Sequence, residues 1–193
     1  MKIVALMGSP RKNGNTFKIT QEILKGANLV GIETENYNLN DLDIKGCQGC
    51  MYCRNHDLCI LKDDMQKIYK SLKEANIIII SSPIYMWQVS GQTKLFLDRL
   101  FAILKTEGDS YEHYGSKIGN KKVIMVYTQG QPKEQIFQNY IEYNQKMLHL
   151  FKWDIIETIV SGGNSSPNDI LKDTKNMKLA FEIGKNILGG KYE

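Results

Sequence analysis

Short apolar runs alternate along the chain with stretches in which apolar residues recur every three or four positions. Apolar runs of this kind are typical of strands that are buried on both faces of a parallel sheet. We predict such strands at residues 2–7, 77–80, 122–127 and 155–160. The polar segment 33–39 predicts a further strand, second in chain order, at an edge of the sheet where one side faces solvent.

Helical periodicity follows each predicted strand, and the buried faces of the helices are predicted from the apolar positions. These are Ile19, Ile23 and Ala27; Met65, Ile68, Leu72 and Ala75; Phe96, Leu100, Phe101 and Leu104; Ile136, Tyr140, Tyr143, Met147 and Phe151; Ile170, Met177, Phe181, Gly184 and Leu188. Strands that alternate with helices build a parallel sheet with helices on both faces. We therefore predict an α/β three-layer sandwich with five strands in the order 2-1-3-4-5. It would be a single domain over residues 1–193, with a cysteine-rich loop at 46–62.

Composition narrows the classes of function. The chain is 42% hydrophobic and 24% charged, and its net charge of +4 is spread without a block of like charges. That pattern argues against nucleic-acid binding. No apolar run approaches the ~20 residues that a membrane span needs. The N-terminus enters a strand pattern at once, so we expect no secretory signal, no membrane partner and a cytoplasmic location with reduced thiols.

The first predicted strand ends in the turn Gly8-Ser-Pro-Arg-Lys-Asn-Gly-Asn-Thr16. A strand, a turn of this composition and a helix together present free backbone N–H groups and a helix N-terminus to a phosphate. Side-chain donors and charge would come from Ser9, Asn13, Asn15, Thr16, and Arg11 or Lys12. The turn is neither a Walker A loop nor a Gly-x-Gly-x-x-Gly fingerprint, which favours one terminal phosphate. A capped turn without a ligand is the alternative.

Two further loops point to the same ligand. The segment Ser81-Ser-Pro-Ile-Tyr-Met-Trp87 follows a central strand, and its aromatic and apolar side chains suit a planar aromatic ligand, with a hydrophobic plug as the alternative. Thr128-Gln-Gly130 follows the next strand. In the order 2-1-3-4-5 these loops flank the crevice where the strand order reverses. We predict a mononucleotide flavin there, with backbone N–H groups around Thr128–Gly130 at the polar edge of its ring.

All four cysteines lie in one stretch, Cys47-Gln-Gly-Cys-Met-Tyr-Cys-Arg-Asn-His-Asp-Leu-Cys59. Four thiols this close in sequence favour a cubane iron–sulfur cluster. A zinc site, free or redox-active thiols, and disulfides are the alternatives. We expect His56 to be solvated rather than a ligand. The loop follows the second strand, so its metal is expected at the rim of the flavin crevice.

Three other features carry structural interpretations. Asp63 and Asp64 are interpreted as caps of the following helix, because negative charge is stabilised at a helix N-terminus. Asp98 and Arg99 are interpreted as a structural ion pair or a partner contact. Residues 107–120 show no periodicity and are expected to form a surface loop or lid.

These motifs together resemble the flavodoxin-like NAD(P)H-dependent FMN reductase superfamily, and most closely its iron–sulfur flavoprotein branch. The resemblance is carried by Gly8-Ser-Pro-Arg with Gly14-Asn-Thr16, the cysteine motif with Asp63-Asp64-Met65, Ser82-Pro-Ile-Tyr85, and residues 94–99. It implies a flavodoxin-like fold, one FMN and one [4Fe-4S] cluster per subunit. It also implies a homodimer or homotetramer in which a cluster approaches the flavin of a neighbouring subunit.

The resemblance also implies roles for individual residues. FMN phosphate would be held by Ser9, Arg11, Asn13, Asn15 and Thr16. The ring would lie against Pro83, Ile84, Tyr85 and Trp87, with Thr128 and Gly130 at its edge. The cluster ligands would be Cys47, Cys50, Cys53 and Cys59.

Electron transfer is the function that these features favour. No Ser/His/Asp or Cys/His triad is evident, so hydrolysis is disfavoured. We expect an FMN-dependent oxidoreductase that passes electrons between a [4Fe-4S] cluster and FMN to a small-molecule or protein acceptor. A cluster-free NAD(P)H-dependent FMN or quinone reductase and a non-enzymatic electron carrier or redox sensor are the alternatives. NAD(P)H is a candidate electron donor, although no separate motif for its adenine end is found.

Overall fold

The computed structural model describes residues 1–106 and 113–189. Five strands pair in parallel as one sheet. They are β1 (Lys2–Met7), β2 (Glu33–Asn38), β3 (Ile77–Tyr85), β4 (Lys122–Thr128) and β5 (Asp154–Ser161). The order is β2-β1-β3-β4-β5, so the predicted flavodoxin-like topology is confirmed. Because all five strands run in parallel, their C-terminal ends lie along one edge of the sheet.

Within residues 1–106 and 113–189, five α-helices cover the sheet. They are α1 (Asn15–Leu29), α2 (Met65–Glu74), α3 (Gly91–Arg99), α4 (Gln138–His149) and α5 (Thr174–Lys185). Three of the predicted helices are shorter than their apolar periodicity suggests. A 3-10 turn, Leu100–Ile103, follows α3, and two others, Glu134–Phe137 and Asp169–Lys172, precede α4 and α5.

The hydrophobic core is divided by the sheet into two layers. In β1, Ile3 and Ala5 face α1 and α5, whereas Val4 and Leu6 face α2, α3 and α4. Successive side chains of a strand point to opposite faces, so a strand that is covered on both sides must be apolar throughout. This is why the apolar runs predicted the central strands well.

The α1 and α5 helices cross at two glycines. A Cβ atom built on Gly184 would lie 1.9 Å from the backbone oxygen of Ile23. One built on Gly26 would lie 2.2 Å from the backbone oxygen of Phe181. The two helix backbones are therefore in direct contact, and neither position has room for a side chain.

Two short antiparallel pairings are also described, one at the end of β3 and one that forms a separate two-stranded sheet. Gln88–Val89 folds back on the end of β3, and Leu104–Lys105 pairs with Gly115–Ser116. The predicted lid at 107–120 lies partly outside the described residues. Its described part packs against the cysteine loop and against Trp153, whose Nε1 donates to the Gly119 oxygen at 3.2 Å. Among the helices described, none has the length and apolar character needed to cross a membrane.

Candidate functional site

A crevice of about 460 Å³ opens at the C-terminal edge of the sheet. It is lined by nine of the predicted site residues, Ser9, Arg11, Asn15, Thr16, Pro83, Ile84, Tyr85, Thr128 and Gly130, and by Met86, Gln129, Asn164 and Ser165. The loops after β1, β3 and β4 therefore meet at one cavity, as the strand order predicts. The loop after β5 also contributes, which the sequence analysis did not include.

The N-terminus of α1 faces the crevice. Gly14 caps this helix without a side-chain hydrogen bond, and the first turn contains no acidic residue. Such a terminus offers free backbone N–H groups and the positive end of the helix dipole to an anion. Thr16 and Thr128 are buried there, and their hydroxyl oxygens lie 2.6 Å apart. This end of the crevice is suited to a phosphate.

The side chains of Arg11 and Asn15 are engaged with the loop after β5. Arg11 is exposed and its Nη1 donates to the Ser165 oxygen at 3.5 Å. Asn15 Nδ2 donates to the Ser166 oxygen at 2.9 Å, and Asn15 Oδ1 accepts from the Ile170 backbone N–H at 3.3 Å. Asn15 thus holds the fourth loop against the crevice, in addition to lining it.

Two predicted residues lie outside the crevice lining, and their proposed roles stay predictions. Asn13 is exposed, and its backbone oxygen accepts from Lys18 Nζ at 2.6 Å. Trp87 is 65% exposed and packs edge-on against Phe137, with ring centroids 5.1 Å apart. The aromatic ring of Trp87 is therefore directed toward the turn before α4.

The turn at the crevice rim has a strained backbone. Met86 and Trp87 connect the short hairpin that ends β3, and their φ angles are +45° and +69°. Residues other than glycine rarely adopt this region, and such strain is concentrated at functional sites. The turn is held by Val89, whose backbone N–H donates to the Tyr140 hydroxyl at 3.1 Å. Neither Met86 nor Trp87 is buried, so the predicted alternative of a hydrophobic plug is not formed by them.

Two side chains of the crevice lining have a buried amide oxygen without a hydrogen-bond partner among the described residues. Gln129 Nε2 donates to the oxygens of Gln131 and Lys133, and Asn164 Nδ2 donates to Ser161 and Gly162. Within the described residues, Gln129 Oε1 and Asn164 Oδ1 accept no hydrogen bond. Buried acceptors without partners are costly. Both oxygens belong to residues of the crevice lining.

The four cysteines line one small cavity of about 40 Å³ beside the end of α3. Its remaining wall is largely apolar and includes Ile60, Leu61, Phe101 and Ala102. All four thiols are free, so the disulfide alternative is not formed. Across residues 1–106 and 113–189, no three His, Cys, Asp or Glu side chains are grouped as a metal site. The donor set of a cubane cluster is present, but the sulfurs would have to draw together to bind one.

Cations lie next to this cavity. Lys117 Nζ donates to the backbone oxygens of Cys53 and His56 at 2.6 and 2.8 Å, and Arg99 forms part of the cavity wall. Burial raises the pKa of the Cys53 thiol, while the Lys117 charge opposes this shift. Arg99 is neutralised by its ion pair with Asp63, so Lys117 is the cation beside the thiols that suits a negatively charged group with thiolate ligands.

A neck of hydrogen bonds closes the base of the cysteine loop. The backbone N–H groups of Asp43 and Lys45 donate to the carboxylates of Asp64 and Asp63 at 2.8 and 3.1 Å. Arg99 Nη1 contacts Asp63 Oδ2 at 2.5 Å, and both side chains are 1% exposed. The loop is therefore tied to α3 by a buried ion pair.

The neck changes the interpretation of the acidic and basic residues that form it. Arg99 pairs with Asp63, and the neighbouring Asp98 pairs with Lys94 instead. Asp63 Oδ1 accepts from the Met65 backbone N–H at 3.1 Å, so Asp63 does contact the start of α2. Asp64 is the N-cap residue but makes no side-chain cap bond to the helix, so the cap interpretation is incorrect for its carboxylate.

The neck should make part of the protein's stability pH-dependent. Burial by itself raises the pKa of Asp63, but hydrogen bonds from Arg99 and Lys45 outweigh it and hold the pKa below its ordinary value. A lowered pKa in the folded state stabilises the protein above the unfolded-state value of ~3.9, and this stabilisation is lost as pH falls through the folded value. We expect urea unfolding from pH 7 down to pH 3 to show a smaller loss of stability in Asp63→Asn than in the wild type. Equal losses would contradict the prediction.

The crevice and the cysteine cavity lie at opposite ends of α3. Ser90 caps the start of this helix and donates to the Gly8 oxygen at 2.6 Å, next to the crevice. Asp98 and Arg99 at its end line the cysteine cavity, and the two cavities share no lining residue among those described. The nine residues of α3 extend about 13 Å. The expectation that the thiols lie on the crevice rim is therefore not met within one chain.

Known proteins resemble this chain in sequence. The profile of a family described as NADPH-dependent FMN reductase matches residues 1–141, which include the predicted site residues up to Gly130 and all four cysteines. An iron-sulfur flavoprotein of Methanocaldococcus jannaschii is 41% identical over 99 residues, 51% of each chain. An iron-sulfur flavoprotein of Methanosarcina thermophila is 33% identical over 129 residues, 63% of this chain and 68% of that one. The matches therefore span about half to two thirds of these relatives.

Solved structures resemble the fold over nearly the whole chain. An NAD(P)H:quinone oxidoreductase from Methanothermobacter marburgensis has a TM-score of 0.71 at 17% identity and covers 97% of both chains. A flavone reductase has a TM-score of 0.71 at 21% identity and covers 100% of this chain and 64% of its own. At these identities the likeness establishes the flavodoxin-like fold alone.

Proposed function

The chain belongs to the NADPH-dependent FMN reductase family, and from that premise we propose that it is a flavin-dependent oxidoreductase that holds FMN in the crevice at the C-terminal edge of its sheet. The observation that carries the proposal is the convergence of four loops on one crevice, with a helix N-terminus suited to an anion at one end. FMN would supply a phosphate for the N-terminus of α1 and a planar ring for the apolar loop after β3.

Each part of the crevice has a separate task in this proposal. Backbone N–H groups at the start of α1, with Ser9, Thr16 and Arg11, would bind and orient the phosphate. Pro83, Ile84 and Tyr85 would contact the ring and exclude water from it. Bound FMN would supply the one- and two-electron chemistry of the reaction. The protein contributes position and electrostatics.

We also propose that Cys47, Cys50, Cys53 and Cys59 hold a [4Fe-4S] cluster that exchanges electrons with FMN. The shared cavity and the neighbouring Lys117 support this, as do the iron-sulfur flavoproteins that the chain resembles. Electrons would pass on to a small-molecule or redox-protein acceptor, with NAD(P)H as a candidate donor.

A homo-oligomer is part of the proposal, because the length of α3 separates the crevice from the thiols within one chain. An apolar groove lies beside Cys47 and is lined by Leu97, Phe101, Met147 and Leu150. A second copy placed on this groove would lie next to Cys47. Sedimentation equilibrium of the purified protein measures the oligomeric state. A monomer at micromolar concentration would contradict the proposed homo-oligomer.

FMN binding is tested through the phosphate end of the crevice. Thr16→Val keeps the side-chain shape and removes the hydroxyl, so we expect FMN to bind about 10- to 100-fold more weakly, the value of a hydrogen bond to a charged group. Riboflavin, which has no phosphate, should bind the variant and the wild type equally. Flavin fluorescence titration measures both affinities.

The matched control is Thr20→Val, one helical turn away, whose hydroxyl is buried and bonds to the Thr16 oxygen. It should leave both affinities unchanged. If the wild type binds riboflavin as tightly as FMN, or if Thr16→Val weakens both ligands equally, the assignment of this phosphate site is wrong.

The rival functions are separated by anaerobic reduction. Stoichiometric bleaching of the flavin by NADPH in iron-free protein would favour the cluster-free reductase over the cluster-dependent enzyme. Steady turnover with a small quinone would exclude a carrier or sensor. Bleaching only when the cluster is present is the result expected from the proposal.

A further inference from the structure

Arg99 combines deep burial with one unused hydrogen-bond donor. Its side chain is 1% exposed, and its Nη atoms are engaged with Asp63 at 2.5 and 3.1 Å and with the Lys45 oxygen at 2.7 Å. Its Nε–H, in contrast, has no acceptor within the described residues. Arg99 also forms part of the wall of the cavity that all four cysteines line. A buried donor without a partner among the described residues therefore belongs to a residue that lines the cavity shared by the four thiols.

An unpaired N–H of a buried cation is unfavourable, since it has lost water and gained no acceptor. A thiolate-ligated cluster has the complementary property, because it carries negative charge and its sulfurs accept hydrogen bonds. Such hydrogen bonds and nearby charges set the reduction potential of a cluster and orient its ligands. A sulfur of a thiolate-ligated cluster in this cavity would be the acceptor that Arg99 Nε–H lacks.

The Nη contacts already fix where the guanidinium lies. Asp63 follows the last cysteine and Lys45 precedes the first, so Arg99 joins both ends of the loop. The planar guanidinium can hold Asp63 with two nitrogens and still present Nε–H in another direction. A lysine has the same charge but cannot make this set of contacts.

We propose that Arg99 is a positioning residue for the thiolate site: its Nη groups close the base of the cysteine loop through Asp63 and Lys45, and its Nε–H donates a hydrogen bond to a sulfur of the group that the four cysteines hold. The inference rests on the proposed function, in which that group is a [4Fe-4S] cluster. It adds a residue that touches the cluster environment without being a ligand.

The test compares reduction potentials of reconstituted variants. Arg99→Lys keeps the charge and loses the Nε–H donor, so the reduced, more negative cluster is less stabilised and the potential should shift to more negative values. Asp63→Asn removes a neighbouring negative charge and leaves the donor, so the potential should shift to more positive values. Loosening of the loop by itself would shift both variants in the same direction. Spectroelectrochemical titration measures the potentials.

The matched control is Arg54→Lys, the same exchange at an exposed arginine of the same loop. Its potential should equal that of the wild type. The inference would be overturned if the reduction potential of Arg99→Lys equals that of the wild type. It would also be overturned if the potential of Asp63→Asn shifts in the same direction as that of Arg99→Lys, or if that of Arg54→Lys shifts by as much. If the wild type takes up no iron on anaerobic reconstitution, the cluster proposal itself fails, and this result is distinct from the other three.

A second measurement tests the inference even if the Arg99→Lys variant does not fold, because it uses a protein that retains Arg99. The Arg54→Lys protein, labelled with ¹⁵N-arginine, retains Arg99 and exposed Arg11 as its arginines. Pulsed EPR of its reduced cluster should detect a ¹⁵N coupling if Nε–H is bonded to a cluster sulfur. The Arg11→Lys and Arg54→Lys double variant should keep the coupling, and its absence there would overturn the inference.

Discussion

Cys59→Ser is expected to leave the protein folded and able to bind FMN, but to reduce its cluster iron from about four atoms per chain to nearly none. Each iron of a cubane cluster takes one thiolate, and a serine oxygen is a poor ligand for this soft centre. Cys59 is half-buried in the shared cavity, and its backbone oxygen accepts from Gln66 Nε2 at 2.8 Å. The loop backbone should therefore keep its place when the sulfur is replaced. Iron and sulfide analysis after anaerobic reconstitution measures the loss.

His56→Ala is the control for this prediction. The His56 ring stacks on Tyr52 with centroids 3.6 Å apart, and its Nδ1 lies 2.9 Å from the Tyr52 backbone oxygen. The four cysteines already supply one thiolate for each iron of a cubane cluster, so the variant should retain full iron. Loss of metal in His56→Ala with retention in Cys59→Ser would instead indicate a mixed His and Cys site such as zinc prefers.

Gly184→Ala is expected to destabilise the protein by about 3 kcal/mol, the upper part of the range for overpacking a well-packed core. The new Cβ would lie 1.9 Å from the Ile23 oxygen and 2.8 Å from the Ala27 nitrogen, which are backbone atoms and cannot rotate away. The helices α1 and α5 would have to separate, and this would outweigh the gain of about 1 kcal/mol in helix propensity that alanine brings. Urea unfolding measures the change. For a chain of this size, the midpoint temperature of thermal unfolding should fall by about 6–12 °C.

Gly91→Ala provides the matched control, because Gly91 is the first residue of α3 and a Cβ there meets nothing within 4 Å. It should be neutral or slightly stabilising. If Gly184→Ala unfolds at the same urea concentration as the wild type, the two helices are not held in backbone contact in solution.

Much of the crevice could be predicted from the sequence, because its loops follow strands whose burial leaves a clear pattern. Parallel strands place their C-terminal loops at one edge, and strand order then decides which loops are neighbours. Gln129 and Asn164 were missed although each follows a strand in the same way. Gln129 lies between two predicted site residues, so its position was the available signal. What could not be predicted is that their amide nitrogens donate to neighbouring backbone oxygens. Their own amide oxygens are left without a hydrogen-bond partner among the described residues.

The sequence by itself determined the order of strands and helices, the five-stranded parallel sheet and the convergence of three loops on one crevice. These follow from local periodicity, since burial on one or both faces determines which neighbouring positions are apolar. Only the tertiary structure decided that Arg99 pairs with Asp63 rather than remaining beside Asp98, and that the cysteine loop lies at the far end of α3. Both depend on contacts between residues distant in sequence, where the free energy of a buried charge selects a partner that no local pattern specifies.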